Sequence, residues 1–135
     1  MYFQWNSGTH TRAIIDGNHV LVGGSENYKI LVGIYQGLLL RAKRDRDPPR
    51  KLALLLTTNL FSNEELATAN ATGKSLEGGA RRVAYPQLHL DKLSVLCQQV
   101  KLEFPGSNVR AGDGSCEIMQ AINGICRKRR VNNNY

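Results

Sequence analysis

The chain has 135 residues, 41% of them hydrophobic, and a formal net charge of +7 at neutral pH. That length fits one domain with a real core, and that hydrophobic content excludes a largely disordered chain. The surplus of positive charge favours a polyanionic partner, although many basic proteins of this size only have solvated surfaces. No apolar run approaches the ~20 residues that cross a bilayer, so no membrane segment is predicted.

The first part of the chain predicts a lead-in and then a small hairpin. Residues 1–4 resemble the remains of a protease-cleavable tag, and residues 1–11 are interpreted as a tag remnant or flexible lead-in. Two short β-branched runs then flank an Asp-Gly-Asn turn at 16–18, a pattern typical of a β-hairpin. Residues 27–44 carry apolar side chains at helical spacing but also two glycines, so a helix is favoured and an extended segment stays open.

Four further helices are predicted from apolar stripes and helix-end signals. Leucines at helical spacing predict a helix over 50–61, and the Ser-x-x-Glu capping box at 62–65 predicts a short helix over 63–69. Residues 70–88 are rich in glycine and form a long loop, of a kind that tends to be functional or disordered. A fourth helix spans 90–104, and the fifth lies within 112–131, where Asp113 or Ser115 can cap it.

Together these elements predict a mainly α fold, a compact domain of about five helices with a small N-terminal β-hairpin. The single domain is predicted to span 12–131, and residues 132–135 to form a flexible tail. The chain has three cysteines without close spacing, so neither a disulfide framework nor a metal site is expected. The basic residues after Cys126 favour a lowered thiol pKa, whereas the lack of a partner base favours an inert, half-buried thiol.

The fifth helix carries the strongest functional signal. Its apolar side consists of Ile118, Met119, Ile122, Ile125 and Cys126. The opposite side is predicted to present Gln120, Asn123, Gly124 and Arg127, and such amide and guanidinium groups match base edges in the DNA major groove. The basic run that ends at Arg130 can hold phosphates. The alternative is a core helix with a solvated polar face and a basic end favoured by the helix dipole.

Signals for catalysis are poor. The three histidines lie far apart in sequence, without the spacing of metal ligands. The sequence contains no nucleophile elbow, zinc-protease motif, phosphate-binding loop or dinucleotide fingerprint. We therefore expect no catalytic residues and no cofactor, and we interpret the chain as a binding protein and not an enzyme.

One stretch of the chain resembles a known family. Residues 51–74 contain an apolar helix that ends in Leu-Phe, then a short Glu-Glu-Leu-Ala helix, then an Asn-Ala-Thr-Gly-Lys turn. This order resembles the BEN domain, and the likeness extends over about 12–130, most loosely in the N-terminal third. BEN domains are compact, mostly helical modules of chromatin-associated factors, transcriptional repressors and insulator proteins.

The resemblance implies sequence-specific binding of double-stranded DNA by a nuclear transcriptional regulator. Its C-terminal helix would enter the major groove, and a basic loop would contact the backbone or minor groove. The implied DNA-binding residues are Lys74, Arg81, Arg82, Gln120, Asn123, Gly124, Arg127, Lys128, Arg129 and Arg130. Further implied partners are a second copy on a palindromic site and corepressor or chromatin proteins. The alternative is a protein-interaction module, for corepressor docking or self-association, with little DNA specificity.

Overall fold

The structure is a computed structural model, and it describes residues 11–73 and 85–133. Three short strands, a 3-10 turn and five helices make up this part of the chain. The strands are β1 (Ile14–Asp16), β2 (His19–Leu21) and β3 (Lys29–Leu31), and the turn is Val22–Gly24. The helices are α1 (Val32–Lys43), α2 (Pro48–Leu60), α3 (Asn63–Thr68), α4 (Leu90–Glu103) and α5 (Glu117–Asn133). The prediction of a mainly α domain with five helices is therefore confirmed.

The predicted hairpin is present and gains a third strand. Asp16 of β1 lies opposite His19 of β2, so residues 17 and 18 form a two-residue turn. Gly17 has a φ of 61°, a conformation that glycine adopts without the strain of a side chain. β3 pairs antiparallel with β2 and places Ile30 opposite Val20, and both side chains are buried. One face of the sheet therefore belongs to the core.

The segment 27–44 is a helix only in part. Residues 29–31 form β3, and α1 begins at Val32, so the prediction of a helix from residue 27 is wrong at its N-terminal end. Pairing with β2 supplies Ile30 with ladder hydrogen bonds and a buried position, and this long-range gain outweighs the helical spacing. The rest of α1 packs its buried side, which includes Tyr35 and Leu39, against α2.

Two helix starts follow directly from their capping residues. Asp47 caps α2 by accepting a hydrogen bond from the Arg50 N–H at 3.4 Å, and the two prolines after Asp47 occupy a turn that needs no N–H donors. Ser62 caps α3 in a complete capping box. The Glu65 N–H donates to Ser62 Oγ at 3.1 Å, and the Ser62 N–H donates to Glu65 Oε1 at 3.0 Å.

The core is built around α2, which packs against α1, α4 and α5. α5 packs against α3 and α2, and α4 packs against α2 and the 3-10 turn. A Cβ at Gly23 would lie 2.6 Å from the backbone oxygen of Val95, so this close packing requires glycine. Within 11–73 and 85–133, no helix has the length and apolar character needed to cross a membrane.

A buried polar network ties the 3-10 turn and α1 to α4. The side chain of Gln99 is fully buried, and it accepts from the Gly23 N–H at 2.9 Å and donates to the Tyr35 hydroxyl at 2.8 Å. The Tyr35 hydroxyl donates to Glu103 Oε2 at 2.5 Å. Burial, together with the negative charge of Glu103, raises the pKa of Tyr35. The hydroxyl therefore stays neutral and fixes the position of Gln99.

Candidate nucleic-acid interface

α5 begins at Glu117, later than the two capping candidates would place its start. Asp113 and Ser115 instead form a turn before the helix, in which Asp113 Oδ1 accepts from both the Ser115 N–H at 2.8 Å and the Ser115 hydroxyl at 2.7 Å. The prediction that either residue caps α5 is therefore wrong, because these groups satisfy each other. The turn is joined to the helix by Gln120 Nε2, which donates to the Gly114 carbonyl at 2.6 Å.

The apolar side of α5 lies against the core as predicted. Ile118, Met119, Ile122 and Cys126 are buried, and Ile125 is half-buried against the same cluster. This side fixes the rotation of the helix and decides which of its other residues reach solvent.

Asn123 lies on the buried side, contrary to the prediction. It follows Met119 by four residues and precedes Cys126 by three, so it shares their face of the helix. The side chain is fully buried, and its Oδ1 accepts from the Ala71 N–H at 2.7 Å while Nδ2 donates to Thr72 Oγ1 at 3.4 Å. Its assignment as a base-contacting residue is therefore corrected. Asn123 holds residues 71 and 72 against α5.

The outer face of α5 is formed by Glu117, Gln120, Gly124, Arg127 and Lys128, which we call the exposed stripe. The first four follow one another at three- and four-residue steps, and Lys128 follows Gly124 by four, so all five share one face of the helix. All except Gly124, which is half-buried, are exposed. A Cβ at Gly124 would meet only the Nη2 of Arg127, at 3.8 Å, so packing within the fold does not require glycine. The absent side chain leaves the helix backbone open to close approach.

A groove of about 420 Å³ runs between the exposed stripe and the start of α2. Its lining combines three apolar side chains with charged and amide groups. The lining residues are Arg50, Leu54, Glu117, Gln120, Ala121, Gly124, Ile125, Arg127 and Lys128. Sequence reasoning missed Arg50, because a lone arginine at the start of the predicted helix over 50–61 carries no functional signal of its own. Only the packing of α2 against α5 brings it beside Arg127.

The cations of this groove are not neutralised within the fold. Arg50, Arg127 and Lys128 are exposed, and none forms an ion pair with any residue in the described parts of the chain. Like charges that line one groove repel one another, and a bound polyanion removes that repulsion. The groove is therefore suited to a negatively charged partner.

Arg129 and Arg130 contribute differently from their two neighbours. Arg129 Nε donates to Asn63 Oδ1 at 2.9 Å, at the start of α3. Arg130 Nη1 donates to the Ala69 carbonyl at 3.3 Å, and its guanidinium lies 4.0 Å from the centroid of the Tyr85 ring. Both arginines are half-buried and bound to the fold, so they are weaker candidates for phosphate contact than Arg127 and Lys128.

The predicted loop cations Lys74, Arg81 and Arg82 lie outside the described residues. The two ends of the loop are described and meet each other. The Asn70 N–H donates to the Pro86 carbonyl at 3.0 Å, and the Leu88 N–H donates to the Asn70 carbonyl at 2.7 Å. Asn123 and Arg130 contact these same ends, so α5 anchors the loop on both sides.

The described residues offer neither a metal-ligand cluster nor an activated thiol. Among residues 11–73 and 85–133, no three His, Cys, Asp or Glu side chains are grouped to hold a metal ion. The three cysteines are free and buried. Burial raises the pKa of Cys126 to about 11 despite the opposing charges of Arg130 and Arg129, so the suggestion of a lowered thiol pKa is wrong.

Comparisons with known proteins give no relative, since no protein-family model, curated protein or solved structure matches the chain. What α5 can bind therefore follows from its own residues and from those of α2 beside it. These residues offer hydrogen-bond acceptors at Glu117 and Gln120, and donors at Arg50, Arg127 and Lys128.

Proposed function

We propose that this chain is a sequence-specific double-stranded DNA-binding domain that places the exposed stripe of α5 in the major groove. One observation carries the proposal. Arg50 of α2 and Arg127 and Lys128 of α5 line one groove, and none has an acidic partner among the described residues. Phosphates on the two sides of a DNA groove would supply the missing negative charge, and their contacts would hold α5 in place.

The dimensions of α5 favour duplex DNA over duplex RNA. α5 has 17 residues, which corresponds to about 25 Å at 1.5 Å per residue. The major groove of B-form DNA is about 12 Å wide and admits an α-helix, whereas that of A-form RNA is too narrow for side-chain readout. The small residues Ala121 and Gly124 let the helix lie close to the base edges.

The resemblance to the BEN domain supports the same partner and adds a biological setting. Its most specific part, residues 61–74, follows directly after α2 and contains the capped helix α3. The setting that we propose is a transcriptional regulator in the nucleus, a repressor associated with chromatin. A second copy of the chain on a palindromic site, and corepressor or chromatin proteins, are proposed partners.

The proposal is tested by the salt dependence of duplex binding. The association constant of the wild type for a random duplex should fall steeply between ~50 and ~200 mM salt, because each neutralised phosphate releases counterions. Arg50→Ala and Lys128→Ala, which remove phosphate-contacting charges from the groove, should each reduce the slope of log K against log salt by about 1. Fluorescence anisotropy with a labelled duplex measures this slope.

The matched control is Arg41→Ala. Arg41 is an exposed arginine in the last turn of α1 and does not line the groove. Its replacement removes the same charge and should leave the slope unchanged. The proposal fails if Arg50→Ala and Lys128→Ala keep the wild-type slope, or if Arg41→Ala lowers it as much as they do.

A protein-docking function is the second candidate, and an apolar patch where β3 passes into α1 favours it. Leu31 and Ile34 are each 49% exposed, and a Cβ at Gly33 or Gly37 would meet nothing within 4 Å. Exposed apolar groups beside open backbone are suited to contact with another protein. Sedimentation distinguishes the two functions: self-association that is insensitive to salt, without any duplex binding, would favour docking over DNA recognition.

A further inference from the structure

We infer that α5 reads DNA with a fixed polarity, accepting hydrogen bonds from an amino-bearing base at its N-terminal end and donating to guanine at its C-terminal end. The acceptors are Glu117 and Gln120, and the guanine donor is Arg127. The amino-bearing base is cytosine or adenine, whose exocyclic amino groups project into the major groove. This inference rests on the proposed function, because it names the bases that the exposed stripe would select in bound DNA. It makes Glu117, which is not among the sequence-predicted residues, a specificity-determining residue.

The N-terminal half of the exposed stripe offers acceptors. Gln120 Nε2 donates to the Gly114 carbonyl at 2.6 Å, and because a carbonyl can only accept, the amide nitrogen must face it. That bond uses one of the two N–H groups of Nε2, and Oε1 is left as a free acceptor. Glu117 is exposed and forms no ion pair with any described residue, so its carboxylate is a second free acceptor.

The C-terminal half of the exposed stripe offers only donors. Arg127 Nη2 lies 3.8 Å from the position that a Cβ on Gly124 would take, so the guanidinium lies back along the stripe beside the bare backbone. A guanidinium in this position can donate to both O6 and N7 of guanine. Lys128 adds an ammonium group with the same sign of charge. Between the two halves, α5 lines the groove with Ala121, Gly124 and Ile125, which carry no polar side-chain atoms.

The spacing of the two halves limits where their bases can lie. Glu117 and Arg127 are ten residues apart, which corresponds to ~15 Å along the helix axis. Base pairs are ~3.4 Å apart, so the guanine and the amino-bearing base should lie about four base-pair steps from each other, within one half-site. The Glu117 carboxylate also repels phosphate. It should therefore weaken binding to every DNA sequence that offers it no base amino group as a hydrogen-bond donor.

The test compares Glu117→Ala with Glu26→Ala by selection of bound duplexes from a random pool. Glu26 is an exposed carboxylate in the loop before β3, and it does not line the groove. Glu117→Ala should reduce base discrimination at one amino-bearing position by roughly 5- to 150-fold and leave the guanine position unchanged. It should also bind a random duplex more tightly than the wild type does, whereas Glu26→Ala should keep the wild-type motif.

Each outcome decides between specific alternatives. If Glu117→Ala selects the same motif as the wild type, with every base preference unchanged, the inference is overturned and the proposed function still stands. Weaker binding of Glu117→Ala to both selected and random duplexes also overturns it, because a purely structural role has that effect. A wild-type protein that enriches no motif overturns sequence-specific binding itself, and the polarity with it.

Discussion

The buried network around Gln99 and the exposed stripe of α5 use the same kinds of side chain for opposite purposes. In the network, both polar atoms of the Gln99 amide are hydrogen-bonded, and the Tyr35 hydroxyl is held between Gln99 and Glu103. In the exposed stripe, Glu117, Arg127 and Lys128 form no ion pair with the described part of the fold. Buried polar groups must be paired inside the fold, whereas water leaves exposed ones available to a partner.

The same contrast occurs within α5, between two amides three residues apart. Asn123 is fully buried and bonded through both its oxygen and its nitrogen to residues 71 and 72. Gln120 is exposed and uses only its nitrogen, toward Gly114. The pairing of each amide, and not its type, therefore decides whether it serves the fold or a partner.

The largest effect that we predict is on stability, from Asn123→Ala. The substitution leaves the Ala71 N–H without an acceptor in a buried position and opens a small cavity, so it should lower the free energy of unfolding by about 2–4 kcal/mol. Gln120→Ala, the matched control on the same helix, should change it by less than about 0.5 kcal/mol. Urea unfolding followed by circular dichroism measures both.

The base preferences of Gln120→Ala and Asn123→Ala test the same contrast through DNA binding and not through stability. Gln120→Ala should alter base preference in a folded protein. If Asn123→Ala instead keeps the wild-type unfolding midpoint and changes base preference, then Asn123 contacts DNA and our correction of its role is wrong.

A second prediction concerns the network itself. Tyr35→Phe removes the hydroxyl that joins Gln99 to Glu103 and should lower the free energy of unfolding by about 1–3 kcal/mol. Tyr28→Phe is the control, because Tyr28 is only half-buried against the core, and it should change stability by less than about 0.5 kcal/mol. An equal loss in both variants would mean that the network adds no more stability than a surface hydroxyl.

The network also gives stability a pH dependence with a definite sign. Burial and the charge of Glu103 raise the pKa of Tyr35 above the ordinary value of 10.0, so the folded state favours the neutral hydroxyl. This contribution is fully present below pH 10 and is lost as the pH rises above it, toward the raised pKa of the folded state. Above pH 10, wild-type stability should therefore fall more steeply than that of Tyr35→Phe.

The local features of this fold were predictable from the sequence, and the long-range ones were not. The hairpin turn and the capping box of α3 depend on neighbours within a few residues, and both were predicted. β3 was missed because its partner strand, and not its own apolar spacing, decides its conformation. The burial of Asn123 could have been read from its spacing to Met119 and Cys126. Arg50 could not have been found, because only the packing of α2 beside α5 gives it a role.

The smallest effect that we predict comes from the ion pair of Lys92 Nζ with Glu65 Oε2, which lie 3.0 Å apart. In solvent exposure this pair is intermediate between the buried network and the exposed stripe. Their side chains are 22% and 38% exposed, so solvent screening should limit the loss in Lys92→Gln to about 0.2–1 kcal/mol at pH 7. Lys101→Gln, which removes an exposed charge from the same helix, should have no measurable effect. Urea midpoints at neutral and acidic pH provide the measurement.

The measurement at acidic pH identifies the cause of that loss of stability. Burial opposes ionisation of Glu65, but the Ser62 N–H and the charge of Lys92 outweigh it and lower the pKa below its usual 4.5. The carboxylate therefore stabilises the fold above pH 4.5, and this contribution is lost as the pH falls through the lowered pKa. Wild type and Lys92→Gln should converge in stability there. A difference that persists in acid would assign the loss to the contact of Lys92 with the Phe61 ring, 5.2 Å from its centroid, and would remove the ion pair as a source of stability.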